Sequence, residues 1–284
     1  MRAEEVIAKF KKIDFTSVES AKRDVIDVIQ SITYLPSYIH RFEGGQVLSR
    51  IRPNENGESF KTFKDLSYKP EQFNHSYQRA SGPGFTMFYG GYTPELDEES
   101  DDSIIPRVIA AMEGSPLIRD DKDGTELVTF SKWRIVSLIE LFCVFHPTYE
   151  NNHLTFFKKY SDLFEQAFNS AGDDYEQGKA VLELISSEFS KSEIDSEQAY
   201  MFSALFTDSV LKQGFDGVIY PSVRTEYHGA NVALTPDRTN DSLMFEMAME
   251  CEITKKGKEI LVLPVQQAFR QNGSNELEWK RIAQ

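Results

Sequence analysis

The stretch Gly214-Phe215-Asp216-Gly217-Val218-Ile219-Tyr220-Pro221-Ser222-Val223-Arg224, followed by Gly229-Ala230-Asn231-Val232-Ala233-Leu234, constrains the fold more than any other part of the chain. It reads as a short buried strand that delivers a serine, Ser222, and a second strand that returns. Few structural needs explain a serine there. The rest of the chain must therefore supply a core around this strand pair and partners for that hydroxyl.

Material for such a core is ample. The 284 residues are 40% hydrophobic and 12% aromatic, with 21 Phe and 12 Tyr, which argues for one large folded domain with appendages and against global disorder. A formal charge of −14 speaks against nucleic acid as a partner, because tracking a phosphate backbone takes clustered Lys and Arg. The longest nearly unbroken apolar run, Ile135 to Phe145, falls far short of the roughly 20 residues that span a bilayer, so no membrane segment is expected. The charged start, Met1-Arg2-Ala3-Glu4-Glu5-Val6, lacks the apolar stretch of a secretory signal, and a cytoplasmic location is expected. Cys143 and Cys251 are too few for a disulfide framework and lack metal-ligand spacing.

Along the chain, residues 1–45 read as an N-terminal helical extension. Thr16 with Glu19 forms a capping box, and Val18, Ala21, Val25, Val28, Ile29 and Ile32 recur at helix spacing, as in a helix that caps the main core. Gln46 to Arg52 turns strand-like, and Phe85 to Tyr89 returns to strand after a polar loop. Glu95, Asp97, Glu98, Glu99, Asp101 and Asp102 form a self-repelling, solvated acidic loop. Ile104 to Met112 reads as helix, and Leu127 to Phe145 as strand or buried apolar segments. Helices follow at about Leu154–Phe168, Asp174–Phe189 and Ser196–Lys212, with Gly214 as the last C-cap. A hairpin pairs Leu243–Ile253 with Glu259–Pro264 around Lys256-Gly257. The division expected is a main domain over 46–267, with a helical insertion at about 150–195, and a tail over 268–284.

Several standard signatures fail. Gly172 with Gly178-Lys179 is one residue too long for a P-loop, and Ala180 stands where a Ser or Thr would hold magnesium. Gly82-Pro83-Gly84 precedes a strand instead of joining strand to helix, so it is no dinucleotide fingerprint. His40, His75, His146, His153 and His228 show no metal-ligand spacing. What remains is an ordered set of single residues. Arg50 and Arg52 point the same way on their strand, Arg79 precedes a glycine-rich loop that lets backbone approach a ligand, Tyr89 ends a strand, and Glu113 closes a small apolar helix.

In that order these residues resemble the RES family, named for its Arg, Glu and Ser positions. The matching blocks are Ser49-Arg50-Ile51-Arg52; Ala80-Ser81-Gly82-Pro83-Gly84 after Arg79, running to Phe88-Tyr89; Ala110-Ala111-Met112-Glu113; the Gly214–Ser222 block; and Gly229 with Asn231. Coverage runs from Gln46 to Pro264. Two departures stand out: Ser81 replaces the family's Asn, and the acidic run lengthens the Tyr89–Glu113 interval, which makes Glu95 a competitor for the glutamate position.

The resemblance implies an α+β, ADP-ribosyltransferase-like mixed sheet core that consumes NAD as a substrate, without a metal. It implies cleavage of the nicotinamide–ribose bond through an oxocarbenium-like transition state. Glu113 would supply negative charge to the ribose, Arg50 and Arg79 would hold the diphosphate, Tyr89 would stack on nicotinamide, and Ser222 and Asn231 would complete the NAD contacts. Water or phosphate as acceptor gives a glycohydrolase or phosphorylase, and a macromolecular side group an ADP-ribosyltransferase. The family's habit of acting as toxins implies a helix-turn-helix antitoxin as partner; a non-catalytic nucleotide-binding module is the alternative.

Overall fold

The computed structural model describes residues 2–33, 35, 37–93, 104–120, 122–168, 172–192, 196–271 and 273–282. The acidic run, Glu95 included, lies outside the described residues. In chain order the elements are α1 (Ala3–Phe10), α2 (Val18–Ser31), β1 (Ile39–Phe42), β2 (Val47–Pro53), β3 (Phe88–Tyr92), α3 (Ile104–Gly114), α4 (Pro116–Arg119), β4 (Gly124–Ile135) and β5 (Ile139–Cys143). They continue with α5 (Thr155–Phe168), α6 (Asp173–Phe189), α7 (Met201–Leu211), β6 (Gly217–Pro221), β7 (Ala230–Leu234), α8 (Pro236–Ser242), β8 (Leu243–Lys256), β9 (Glu259–Arg270) and β10 (Leu277–Arg281). The fold is mixed α+β, and its contacts divide into two compact units, each built from three chain segments.

The first unit comprises 1–40, 70–87 and 140–223. Its strands β5 and β6 run parallel, Leu141 opposite Gly217 and Cys143 opposite Ile219, with α5, α6 and α7 forming the long connection that parallel pairing requires. Every residue of β6 is buried, as a strand covered on both faces must be. Helix α7 is apolar on nearly all sides and buries Met201, Phe202, Ala204, Leu205, Phe206 and Val210, so it sits inside the unit with α2 and α6 packed on it. In α2 the expected stripe docks through Ala21, Val25, Val28 and Ile29. The expected capping box does not form: the helix starts at Val18 behind Ser17, and the Thr16 N–H goes to the Asp14 side chain at 2.9 Å.

His40 closes this unit's first segment, its ring 4.8 Å from that of Phe156 and its Nδ1 3.2 Å from the Tyr160 hydroxyl. Burial pulls the imidazole down to about 4. The fold thus accepts the neutral ring, whereas the unfolded chain titrates near 6.5. This contribution to stability is complete above pH 6.5 and drains away as pH falls toward 4, amounting to about 1–2 kcal/mol between pH 7 and pH 5. His40→Phe is expected to lose that much less than wild type over the same interval in urea unfolding; equal losses would show that His40 does not carry the acid sensitivity.

The second unit comprises 41–69, 88–139 and 224–284. Its sheet has the order β7-β3-β2-β4-β8-β9-β10, with every neighbouring pair antiparallel. One face carries α3 and α4 over a core of Ile51, Ala110, Ala111, Val128, Phe130, Cys251 and Ile253. On the other face Trp133 packs edge-on against Phe88 and Phe245, with Phe63 stacked on Phe245. On the same face, opposite Thr129, stands Glu250, 3% exposed. Asn54 Nδ2 and Ser59 Oγ donate to its Oε2 at 2.9 and 2.8 Å, Gln266 Nε2 donates to its Oε1 at 3.0 Å, and the Thr129 hydroxyl donates to Asn54 Oδ1. Loop 54–59 is pinned to β8 and β9 by this carboxylate.

Three local expectations shift. The strand read over 85–89 pairs only from Phe88 to Tyr92. Asn74 Nδ2 holds the carbonyls of Gly82 and Phe85 at 2.9 and 2.8 Å, so the chain there turns instead of pairing. Tyr89 therefore stands second in β3, not last. Residues 268–284, expected as a tail, contain the end of β9 and all of β10, fastened by Trp279 Nε1 on the Phe60 carbonyl at 2.7 Å. Helix α8, which no expectation covered, begins behind Thr235, whose hydroxyl accepts the Arg238 N–H. No described helix is long and apolar enough to cross a membrane.

Candidate active site

Glu113 stands one residue before the end of α3, where the helix dipole opposes a carboxylate. Stabilisation must come from other chain segments, and it does. Asn231 in β7, 118 positions away, donates from Nδ2 to Glu113 Oε1 at 3.0 Å. The Arg224 Nε lies 3.8 Å from Oε2, outside hydrogen-bond range, and the two side chains keep 27% and 21% of their surface exposed. The result is a carboxylate fixed on one oxygen, charge-matched on the other, and open to solvent.

Backbone geometry makes this approach possible. β3 and β7 pair with Gly91 opposite Asn231, placing both residues on the face that α3 covers. A Cβ on Gly91 would meet the Pro106 carbonyl at 2.9 Å and Ile109 Cβ at 3.0 Å, so α3 rests directly on the strand backbone. On the other side a Cβ at Gly229 would stand 2.1 Å from Ile109 Cδ1. Between Arg224 and Gly229 the chain holds Glu226 at φ 50° and Tyr227 at φ 65°, a left-handed pair costing about 1–2 kcal/mol per residue. Strain is stored next to the carboxylate.

Alternation sorts the remaining residues. Tyr89 pairs with Ala233 and shares the α3 face with Gly91 and Asn231; it is half-buried. Ser49 lies opposite Gly91, so the α3 face of β2 belongs to Ser49 and Ile51, while Arg50 and Arg52 point to the opposite face. There the Arg50 guanidinium sits 5.4 Å from the Phe88 ring centre and donates from Nη1 to the Tyr89 carbonyl at 3.0 Å. Burial first, and the nearby Arg52 charge second, bring Arg50 down to about 10, and its buried Nε has no hydrogen-bond partner. Arg50 thus hydrogen-bonds the Tyr89 backbone from the sheet face opposite the one that α3 covers.

Arg79 and Ser222 belong to the first unit. Arg79 is 7% exposed; its guanidinium donates from Nη1 to the Phe189 carbonyl at 2.5 Å and from Nη2 to the Lys191 carbonyl at 3.0 Å, over the Tyr200 ring at 5.2 Å. Its fork closes the C-terminus of α6, satisfying carbonyls that have no intrahelical donor. Ser222 follows β6 directly and is fully buried. Of the expected site residues, then, the second unit brings Tyr89, Glu113 and Asn231 to one face of its sheet and Arg50 to the other. Arg224, which carried no role in the sequence reading, joins Glu113 and Asn231. Its signal was its place two residues beyond Ser222 in the most specific motif.

Among the described residues no group of three or more His, Cys, Asp or Glu is arranged to hold a metal ion. No protein-family model matches the chain, and no curated protein does.

Proposed function

We propose that this chain is an NAD-consuming enzyme of the ADP-ribosyltransferase-like RES type, cleaving the nicotinamide–ribose bond with water or phosphate as acceptor. The observation that carries this reading is the contact between Asn231 and Glu113. The resemblance nominated both residues from motifs far apart in the chain, with no knowledge that they touch. A carboxylate oriented by an amide, beside a guanidinium and open to solvent, suits the stabilisation of an oxocarbenium ion without a covalent intermediate.

In this reading Glu113 meets the ribose as positive charge develops, Asn231 sets the carboxylate plane, and Tyr89 offers its ring to nicotinamide on the same face. Arg50 holds the Tyr89 carbonyl from behind and so positions that strand. Transfer to a protein side chain, as in an ADP-ribosyltransferase, would use the same carboxylate with a different acceptor.

The test is incubation of the purified chain with NAD and no protein acceptor, following nicotinamide by chromatography with and without EDTA. Release at the same rate in both conditions is expected. Loss of turnover in EDTA, restored by a divalent ion, would overturn the metal-free chemistry. A rise in melting temperature with NAD but no nicotinamide would identify a binding module instead.

A further inference from the structure

The diphosphate of a dinucleotide needs a cation that can offer several N–H donors at once. The arginines nominated for that work are engaged elsewhere: Arg79 spends its fork on the carbonyls of Phe189 and Lys191, and Arg50 gives Nη1 to the Tyr89 carbonyl on the far face from Glu113. Arg52 donates to the Asp65 carbonyl under the Phe60 ring. Arg224 differs from all three. It donates no hydrogen bond to any described residue, its side chain is partly exposed, and its nearest charge is Glu113 at 3.8 Å.

We propose that Arg224 is the anion-binding residue of the site, holding the diphosphate directly beside the Glu113 carboxylate; this rests on the NAD reading. The electrostatics require a cation at this place. A ligand that brings ribose hydroxyls to Glu113 also brings phosphate charge near it, and two like charges at such range repel unless a positive group stands between them. Arg224 is the cation beside Glu113, at one end of the loop whose other end, Gly229, lies against Ile109 of α3. Engaging phosphate costs only a loose, partly solvated ion pair, which contributes little by itself.

The experiment measures dissociation constants of wild type, Arg224→Ala and Arg224→Lys for NAD, ADP-ribose and nicotinamide riboside, the last lacking phosphate. Arg224→Ala is expected to weaken NAD and ADP-ribose by about thirtyfold or more, the scale for losing one partner of a charge-assisted pair, while riboside binding stays within about threefold. Lysine should restore part of the loss, since a point charge cannot reproduce the fork. Unchanged constants for NAD and ADP-ribose in the alanine variant would overturn the assignment. So would riboside weakened as strongly as NAD, because Arg224 would then act through Glu113 and not on phosphate. Wild-type protein that binds neither NAD nor ADP-ribose would overturn the nucleotide reading itself, a result distinct from the other two.

Discussion

Glu113→Gln is expected to lower nicotinamide release from NAD by about 10²-fold or more, the effect of losing one electrostatic stabiliser where charge develops. The substitution keeps the shape and leaves an amide oxygen to accept from Asn231, whose Nδ2 reaches Oε1 at 3.0 Å. Affinity for NAD and thermal stability should change little, because the missing charge matters chiefly in the transition state. Glu95→Gln is the paired control. If that variant loses turnover while Glu113→Gln keeps it, the catalytic carboxylate is the one that opens the acidic run and the Asn231 contact is structural.

The second large effect concerns stability alone. Glu250→Ala removes the acceptor for Asn54, Ser59 and Gln266 together, leaving donors stranded in a site that is 3% exposed with the native side chain in place. A cost of about 3–5 kcal/mol is expected, since each buried donor without a partner costs about 1–3 kcal/mol and water entering the cavity recovers only part of it. Urea unfolding should show a lower midpoint with the slope preserved. Turnover per folded molecule should match wild type; a midpoint unchanged within error would mean that loop 54–59 is held by something other than this carboxylate.

Much of the secondary structure was readable because periodicity and burial agree. The α2 stripe and the apolar β6 each bury what their pattern says they should, and β8 pairs with β9 as the hairpin pattern says, although β9 leaves Ile260, Leu261, Val262 and Leu263 exposed. Errors cluster where side chains recruit backbone. Asn74 turns the Gly82–Phe85 segment that strand propensity alone would pair, and β3 runs instead through Gly90 and Gly91, poor strand formers. Helix α8 was missed although Thr235-Pro236 is a sound start signal, because its seven residues carry no apolar stripe.

The site was readable as a list and not as an arrangement. Alternation correctly placed Arg50 and Arg52 on one face, yet nothing local says that α3 covers the other face; that depends on register with β3, a long-range property. Arg79 beside a glycine-rich loop looked like an anion binder, and its burial under α6 depends on the Phe189 and Lys191 carbonyls, more than a hundred positions away. The pairing of Glu113 with Asn231 is equally remote in sequence, so no spacing rule could have given it.

The tight seat of α3 bears on how a relative of this protein would be recognised. At position 91 even a methyl group would run into the Pro106 carbonyl, which is backbone and cannot step aside, whereas at position 229 the obstacle is the movable end of Ile109. A side chain at position 91 must push α3 off the strand, and Glu113, which rides on α3, moves with it away from Asn231. Descendants of this architecture are therefore better traced by the glycine under the helix and by the glutamate–asparagine couple it makes possible than by their positive charges.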